Sequence, residues 1–190
     1  MEYNPLEKEI VLYRQLNKLD RFVLKFIKVL EKYTNYVIIS GYVSILLGRT
    51  RATEDVDLLL PQILEAEFIV LWEELHNKGF ECMNTSNPGE AFQMLKTHAI
   101  RFFEKGKPIP NIEFKIIKND LDKYSFSNKI RVVLGDDKIN ISPLELQIAY
   151  KLFLAADGTD EELQSDKDIE DARHLYKIFE ENINFSSQFS

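Results

Sequence analysis

A glycine turn followed by an acidic strand is the feature that most restricts the folds open to this chain of 190 residues. Ser40-Gly41 ends a short β-rich run, and Asp55 and Asp57 stand at the start of a second apolar run. Alternate side chains of a strand share a face, so we expect both carboxylates on one face and the residues between them in the core. Two carboxylates on one face repel each other unless a cation or protons lie between them. The pattern therefore predicts a buried strand with a cation site.

The segment 40–58 also carries a candidate phosphate site. A strand that ends in Ser-Gly and opens a helix directs backbone N–H groups outward, which favours phosphate binding. The carboxylate oxygens of Asp55 and Asp57 suit Mg²⁺, which keeps waters and substrate phosphates as its other ligands. A metal site and a phosphate site joined by one short helix are the parts that phosphoryl or nucleotidyl transfer needs.

Apolar spacing predicts helices and strands along most of the chain. Helices are expected within residues 5–33, over 43–47 and over 62–78, and turn residues dominate 84–90. Strands are expected over 36–39, 55–60, 80–83, 99–103 and 112–117, and residues 131–134 and 138–141 flank a Gly-Asp-Asp turn in the manner of a hairpin.

Beyond Ile141 the pattern becomes helical. A capping box with proline at the first helical position starts at Ser142 and predicts a helix to about residue 155. Capping residues at 165–168 predict a last helix to about residue 181. We therefore predict an α/β (α+β) fold with a mixed central sheet, an N-terminal helix and a C-terminal helical bundle. The core would span residues 1–141, and residues 142–190 would form a helical extension packed on it.

Composition favours a cytoplasmic protein without membrane association. Hydrophobic residues make up 45% of the chain, enough for a packed core, but no apolar run approaches the about 20 residues of a membrane span. The N-terminal residues show neither the basic region nor the apolar region of a secretory signal. Cys82 is the only cysteine, so no internal disulfide can form.

Charge is spread unevenly along the chain. The formal net charge is −7, yet residues 96–138 hold ten basic and six acidic residues. An acidic whole with a basic middle argues against nonspecific coating of nucleic acid and is compatible with a local phosphate site. Ordinary solvated charge is the alternative interpretation of the basic segment.

The run from Gly41 to Leu58 resembles the signature of the nucleotidyltransferase superfamily. In that fold a Gly-Gly or Gly-Ser turn precedes a helix and an acidic-x-acidic strand, and a third acid stands on a later strand. Glu113 is the best match for the third acid, because it occupies an alternating position in an apolar strand where an unpaired carboxylate would be costly. Glu104 is the rival for this role.

The C-terminal part resembles the AbiEii-type branch, which includes toxins of type IV toxin–antitoxin systems. The branch has a helical lysine before a leucine and then a basic-Asp-x-x-Asp motif in the next helix. Lys151 matches the lysine, and Lys167, Asp168 and Asp171 match the second motif. Without the resemblance, Lys151 would be interpreted as a surface lysine and Asp168 as an acid favoured by the helix dipole.

The resemblance implies a nucleotidyltransferase-like core and a reaction that moves a nucleoside monophosphate from an NTP to an acceptor, with release of pyrophosphate. Asp55, Asp57 and Glu113 would bind Mg²⁺ or Mn²⁺, and Glu113 would also help to deprotonate the acceptor hydroxyl. The implied nucleotide-binding residues are Ser40, Gly41, Ser44, Arg51 and Lys151. For Arg51, an ion pair with Glu54 is an equal alternative. Asp168 would orient Lys151.

Several alternatives stay open at the level of sequence. The acceptor is RNA, a protein hydroxyl or a small molecule, and a cognate antitoxin-like protein is a possible partner. Tyr42 stands where the superfamily has glycine or serine, and we expect its ring to limit access of a triphosphate. It therefore favours the rival function, a non-catalytic binding or regulatory protein on the same fold. A metal-dependent phosphohydrolase lacks support, because His76, His98 and His174 fit no metal-ligand spacing.

Overall fold

The computed structural model of the protein describes the backbone of residues 1–157 and 162–186 and the side chains of residues 1–156 and 166–180. The strands of this part are β1 (Glu2–Asn4), β2 (Glu9–Leu12), β3 (Val37–Ile39), β4 (Asp55–Leu60), β5 (Phe80–Cys82), β6 (Ile100–Glu104), β7 (Lys107–Ile116), β8 (Ile130–Leu134) and β9 (Asp137–Ile141). The helices are α1 (Lys18–Leu30), α2 (Gly41–Leu46), α3 (Glu65–Asn77), α4 (Pro88–Thr97), α5 (Asp120–Ser127), α6 (Leu144–Asp157) and α7 (Glu162–Ser186). The strands form one mixed sheet in the order β1-β2-β8-β9-β3-β4-β7-β6-β5. The predicted α/β class with a mixed central sheet is confirmed.

The two faces of the sheet differ in character at its centre, where β3, β4 and β7 lie. β4 pairs antiparallel with β3 and parallel with β7. On one face, Phe102 and Phe114 are buried against Phe26 of α1, and Trp72 of α3 packs edge-on against Phe102. Because side chains alternate along a strand, Glu113 points to the opposite face. The aromatic core thus anchors the strands that carry the acids.

The N-terminal segment departs from the predicted helix over residues 5–33. Residues 9–12 form β2, which pairs in parallel with β8, and Ile10 and Leu12 are buried while their neighbours are half-buried. The helix begins only at Lys18, because Asn17 caps it and exchanges capping hydrogen bonds with Asp20. The spacing of the early leucines fits a helix, but pairing with a distant strand overrides that local preference.

The elements around the acidic motif agree with prediction. β4 has the predicted bounds, β8 and β9 form the predicted hairpin, and the short helix after the glycine turn is α2. Two helices were not predicted. α4 begins at Pro88 inside the predicted turn region, with Asn87 as its N-cap, and α5 begins at Asp120 with a capping box from Asn119.

The C-terminal helices pack on each other and on the core. In α7, Ala172, Leu175 and Ile178 are buried, and α7 contacts both α6 and α2. The predicted cap at residues 165–168 is wrong, because α7 begins at Glu162; no glycine or proline in residues 162–168 stops the helix from extending towards its N-terminus. The division of the chain after Ile141 stays a prediction. No helix among the residues that the structure describes is long and apolar enough to cross a membrane.

Candidate active site

The three predicted acids lie on one face of the sheet. The register of β4 and β7 places Asp57 beside Glu113 and Asp55 beside Asn111. Asp55 and Asp57 are half-buried, while Val56 and Leu58 between and after them are fully buried. The expectation that both aspartates share a face away from the core is confirmed, and the structure adds the carboxylate of Glu113 next to them.

Glu104, the rival third acid, lies away from this group. It ends β6, where its carboxylate pairs with Lys25 Nζ at 2.5 Å and with Lys107 Nζ at 3.2 Å. Glu113 instead occupies the middle of the sheet and is 5% exposed. The structure therefore brings Glu113, and not Glu104, next to Asp57.

Two cations neutralise the acidic face. Lys115 Nζ lies 2.7 Å from Asp57 Oδ1 and 2.6 Å from Glu113 Oε1, so one ammonium bridges two carboxylates. Arg101, opposite Glu113 on β6, forms an ion pair with it. Sequence reasoning assigned no role to Lys115, although its position two residues after Glu113 places both on the same face of a strand.

Ionisation of the acids follows from this arrangement. Burial raises the pKa of Asp57, and the charges of Asp55 and Glu113 raise it further against the opposing effect of Lys115. Burial would also raise the pKa of Glu113, but the hydrogen bonds and charges of Lys115 and Arg101 outweigh it and hold that pKa below its usual range. The pKa of Lys115 is raised, because attraction to Asp57 and Glu113 exceeds the effect of its burial.

The donor set fits a divalent cation in its chemistry. Asp55, Asp57 and Glu113 supply carboxylate oxygens, and the position between two of them holds a positive charge, the Lys115 ammonium. The Oδ1 atom of Asn111, beside Asp55, is buried and has no hydrogen-bond partner among the described residues, so it is a further free oxygen donor. Within the side chains that the structure describes, no three acidic, histidine or cysteine residues converge as a formed metal site. The residues that would hold a metal ion are Asp55, Asp57 and Glu113.

The glycine turn has an unusual backbone. Ser40, which precedes α2, has φ 65° and ψ −144°, a conformation that non-glycine residues rarely adopt, and its N–H donates to Gln147 Oε1 at 3.1 Å. A Cβ atom at Gly41 would lie 2.1 Å from Nη2 of Arg51, so only glycine permits the guanidinium to rest on the turn. Ser44 is fully buried, and its hydroxyl has no partner among the described residues.

A buried ionic cluster joins the C-terminal helices to this turn. The carboxylate of Asp171 in α7 accepts hydrogen bonds from Nε and Nη2 of Arg51, at 3.2 and 3.0 Å. It also forms an ion pair with Arg49 and lies 3.2 Å from Lys151 Nζ. Lys151 also pairs with Asp168, as predicted, and both side chains are buried. Lys151 is thus linked to the glycine turn through Asp171 and Arg51. Asp171 belonged to the predicted motif but had no role, because its two arginine partners lie about 120 residues away in the sequence.

The predicted steric effect of Tyr42 is wrong. The side chain is 1% exposed, and its hydroxyl donates to Asp20 Oδ1 of α1 at 2.9 Å. Arg14 holds the same carboxylate with two hydrogen bonds, at 2.5 and 3.0 Å. Burial raises the pKa of Tyr42, so the phenol stays protonated. The ring is packed in the core and is directed away from the turn that would receive a triphosphate.

Comparison with known proteins identifies the fold. No protein-family model matches the chain, and no curated protein matches it. An antigenic nucleotidyltransferase-like protein from Paracoccidioides brasiliensis superposes with a TM-score of 0.54 at 17% identity, over 82% of this chain and 74% of the other. The fold is nucleotidyltransferase-like. The solution structure of the antibiotic-resistance factor ANT(2'')-Ia shares this nucleotidyltransferase-like fold with a TM-score of 0.52 at 16% identity, over 89% of this chain and 91% of the other. At these identities the likeness establishes the fold alone, and the AbiEii-type branch stays a prediction.

Proposed function

We propose that the protein is a metal-dependent nucleotidyltransferase that moves a nucleoside monophosphate from an NTP to an acceptor hydroxyl. The observation that carries the proposal is the side-by-side register of Asp57 and Glu113, with Asp55 on the same face and a glycine turn at the end of the neighbouring strand. On a nucleotidyltransferase-like fold, an acidic group beside a turn whose backbone favours phosphate binding supports this reaction.

In the proposed reaction, the acceptor oxygen forms a bond to the α-phosphorus of the NTP. The bond between that phosphorus and the oxygen bridging to the β-phosphate breaks, pyrophosphate leaves, and Glu113 takes the proton of the hydroxyl. Mg²⁺ or Mn²⁺, held by Asp55, Asp57 and Glu113, would neutralise charge on the phosphates. The lowered pKa of Glu113 keeps the carboxylate ionised at neutral pH, which is the form that a proton acceptor needs.

The leaving pyrophosphate would be held at the glycine turn. Arg51 already rests on Gly41, and its guanidinium suits the geometry of a phosphate. Asp171 holds this guanidinium through Nε and Nη2, and Lys151 adds a positive charge to the same cluster. Ser40 and Ser44 complete the proposed nucleotide-binding set, and Asp168 would orient Lys151.

The finer assignments rest on the resemblance. The AbiEii-type branch would connect the protein to a toxin–antitoxin system and to an antitoxin-like partner. The non-catalytic alternative depended on Tyr42 as an obstacle in the turn, and the burial of that ring removes the observation that favoured it.

The experiment follows label from each α-³²P-labelled NTP, with Mg²⁺, into the components of a cell extract. We expect a labelled product with the wild-type chain and none with the double variant Asp55→Asn/Asp57→Asn. Asp120→Asn, whose side chain is 97% exposed, is the matched control and should label as wild type. Calorimetry with Mg²⁺ and a non-hydrolysable ATP analogue should show binding that the double variant loses. Equal binding by the double variant and the wild type contradicts the proposal.

A further inference from the structure

A cavity of about 410 Å³ continues the acidic face of the sheet. Its floor is formed by the next residues along the same strands: Leu59 lies two residues beyond Asp57 on β4, and Lys115 lies two residues beyond Glu113 on β7. Leu59 and Lys115 are register partners, as Asp57 and Glu113 are. The cavity therefore opens directly next to the acids, and its volume falls within the range of about 300–1,000 Å³ that is typical of small-molecule sites.

The walls of the cavity are mainly apolar and carry a few polar groups. Leu121 of α5 and Leu146 of α6 line it, as does Tyr150 of α6, which is 44% exposed. Ser125 of α5 also lines the cavity. It is 2% exposed, and its Oγ atom has no hydrogen-bond partner among the residues that the structure describes. A buried hydroxyl without a partner is costly, so a polar group of a molecule bound in the cavity would be favoured beside it.

The charges in the lining do not favour a polycation. Among the described residues, the lining contains Lys115, Lys118 and one acid, Asp122. Asp122 is occupied as the cap of α5, where its Oδ2 atom accepts from the backbone N–H groups of Lys118 at 3.0 Å and Asn119 at 3.3 Å. Of the neighbouring acids, Asp57 and Glu113 are already paired with Lys115, so the lining itself offers a multiply charged cation no unpaired carboxylate. Nor does this mainly apolar space resemble the basic groove that a nucleic-acid strand needs.

The cavity runs from the glycine turn past the acids. Ile39, which precedes the turn, and Gln147, which accepts from the Ser40 N–H, line it at one end, and Leu59 and Lys115 line it further along β4 and β7. Arg51 packs on Gly41 and is not part of the lining. With pyrophosphate held at Arg51, the cavity next to Glu113 stays open to an acceptor hydroxyl, whose oxygen lies roughly in line with the leaving oxygen in a phosphoryl transfer.

We propose that this cavity binds the acceptor, and that the acceptor is a small, largely apolar molecule with a hydroxyl group and a neutral or singly negative charge. The proposal rests on the proposed nucleotidyl transfer for the identity of the acceptor, but the binding itself needs neither NTP nor metal. Among the acceptor classes left open by the sequence, it selects the small molecule over RNA and over a protein hydroxyl.

The test measures direct binding of naphthol, hydroxynaphthoate and spermine by calorimetry, with the full chain. We expect naphthol and hydroxynaphthoate to bind and spermine not to bind. Ser125→Leu fills the cavity and should raise both dissociation constants at least about tenfold, whereas Ser127→Leu, an exposed change of the same type in the same helix, should alter them less than about twofold. Leu121→Trp narrows the cavity from a side chain that is 62% exposed, so it tests the site even if Ser125→Leu does not fold; Tyr124→Trp is its control.

The outcomes separate the two proposals. If the ATP analogue binds but the naphthol compounds do not, or if Ser125→Leu and Leu121→Trp bind them as tightly as wild type, the cavity assignment fails and the proposed function stands. If the ATP analogue competes with hydroxynaphthoate, the cavity holds the nucleoside, and its assignment to the acceptor is wrong. If spermine binds and Leu121→Trp weakens this binding, the argument that the cavity disfavours a polycation is overturned. Binding of the naphthol compounds that is unaffected by saturating ATP analogue supports the acceptor assignment.

Discussion

At Tyr42, the side chain points away from the turn to which its backbone belongs. Its N–H and Cα belong to the glycine turn, but its ring is buried and its hydroxyl bonds to Asp20 of α1. The turn is therefore shaped by Ser40 and Gly41, and the residue after them is free to be large because it points into the core. A small residue at this position is not a requirement for an open phosphate site.

Removal of the Tyr42 hydroxyl tests this account. Tyr42→Phe deletes one of the donors to the buried carboxylate of Asp20, which keeps Arg14 and the backbone N–H of Asn17. We expect the free energy of unfolding in urea to fall by about 1–2 kcal/mol, because a hydrogen bond to a charged group is lost. Affinity for the ATP analogue should not change. Tyr124→Phe, at an exposed position, is the control, and a free energy of unfolding equal to that of the wild type would contradict a stabilising role for the Tyr42–Asp20 hydrogen bond.

The site residues differ in how far local sequence determines their surroundings. Asp55 and Asp57 share a face because strand alternation alone dictates it, and this was predictable from six residues. The pairing of Lys115 with Asp57 depends on which strand lies beside β4, which no local pattern specifies. The unpartnered oxygens of Asn111 and Ser125 depend on three-dimensional packing in the same way, so sequence reasoning missed both.

At the scale of elements, α7 is held to the core by charge as well as by its apolar face. Asp168 and Asp171 stand one helical turn apart, and together they bind Lys151 of α6. Asp171 also binds Arg49 and Arg51, which lie between α2 and β4. One fully buried carboxylate therefore joins two C-terminal helices to the segment that precedes the acidic strand.

Neutralising Asp171 should loosen this junction. Asp171→Asn removes the negative charge that Arg49, Arg51 and Lys151 share. We expect the free energy of unfolding to fall by about 3 kcal/mol, as for other broken buried ion pairs. Glu170→Gln is the matched control, since Glu170 also pairs with Arg49 but its side chain is 64% exposed. Its effect should stay below about 1 kcal/mol. Urea unfolding measures both, and similar losses in the two variants would show that the buried cluster adds little.

Elements with strong local signals were predicted, and those with competing signals were not. The hairpin of β8 and β9 surrounds a glycine turn, and β4 alternates acidic and apolar residues before it ends in three leucines followed by Pro61. In contrast, β2 lies in a stretch whose leucines also fit a helix, and its partner β8 is remote. The turn residues before α4 were identified correctly, but Asn87 and Pro88 are also good helix-starting residues, and here they start one.

At the scale of the whole molecule, the stability of the protein should depend on pH through the ionisation of Asp20. Burial would raise the pKa of this carboxyl, but hydrogen bonds from Arg14, Asn17 and Tyr42 outweigh it and lower the pKa. A lowered pKa in the folded state adds stability that is complete above the unfolded pKa of about 3.9 and is lost as the pH falls through the folded value.

A comparison of pH profiles tests this contribution. Asp20→Asn should be about 2–3 kcal/mol less stable than the wild type at pH values near 7, a value reduced from that of a fully buried pair because Arg14 is 29% exposed. The difference between the two proteins should shrink as the pH falls below about 4, since the wild type then loses the charge as well. Unfolding in urea at a series of pH values gives both profiles, and a difference that does not vary with pH contradicts the prediction.

The parallel pairing of β2 with β8 has a consequence for the order of folding. Glu9 lies beside Arg131 in the sheet, so this contact closes a loop that contains most of the chain. Closing long loops costs more chain entropy than forming local hairpins, and contacts of this kind slow folding. We expect the hairpin of β8 and β9 to form first and to serve as the template on which the N-terminal strands assemble. During synthesis on a ribosome, the first strands to leave the exit tunnel would then be among the last to find their partners.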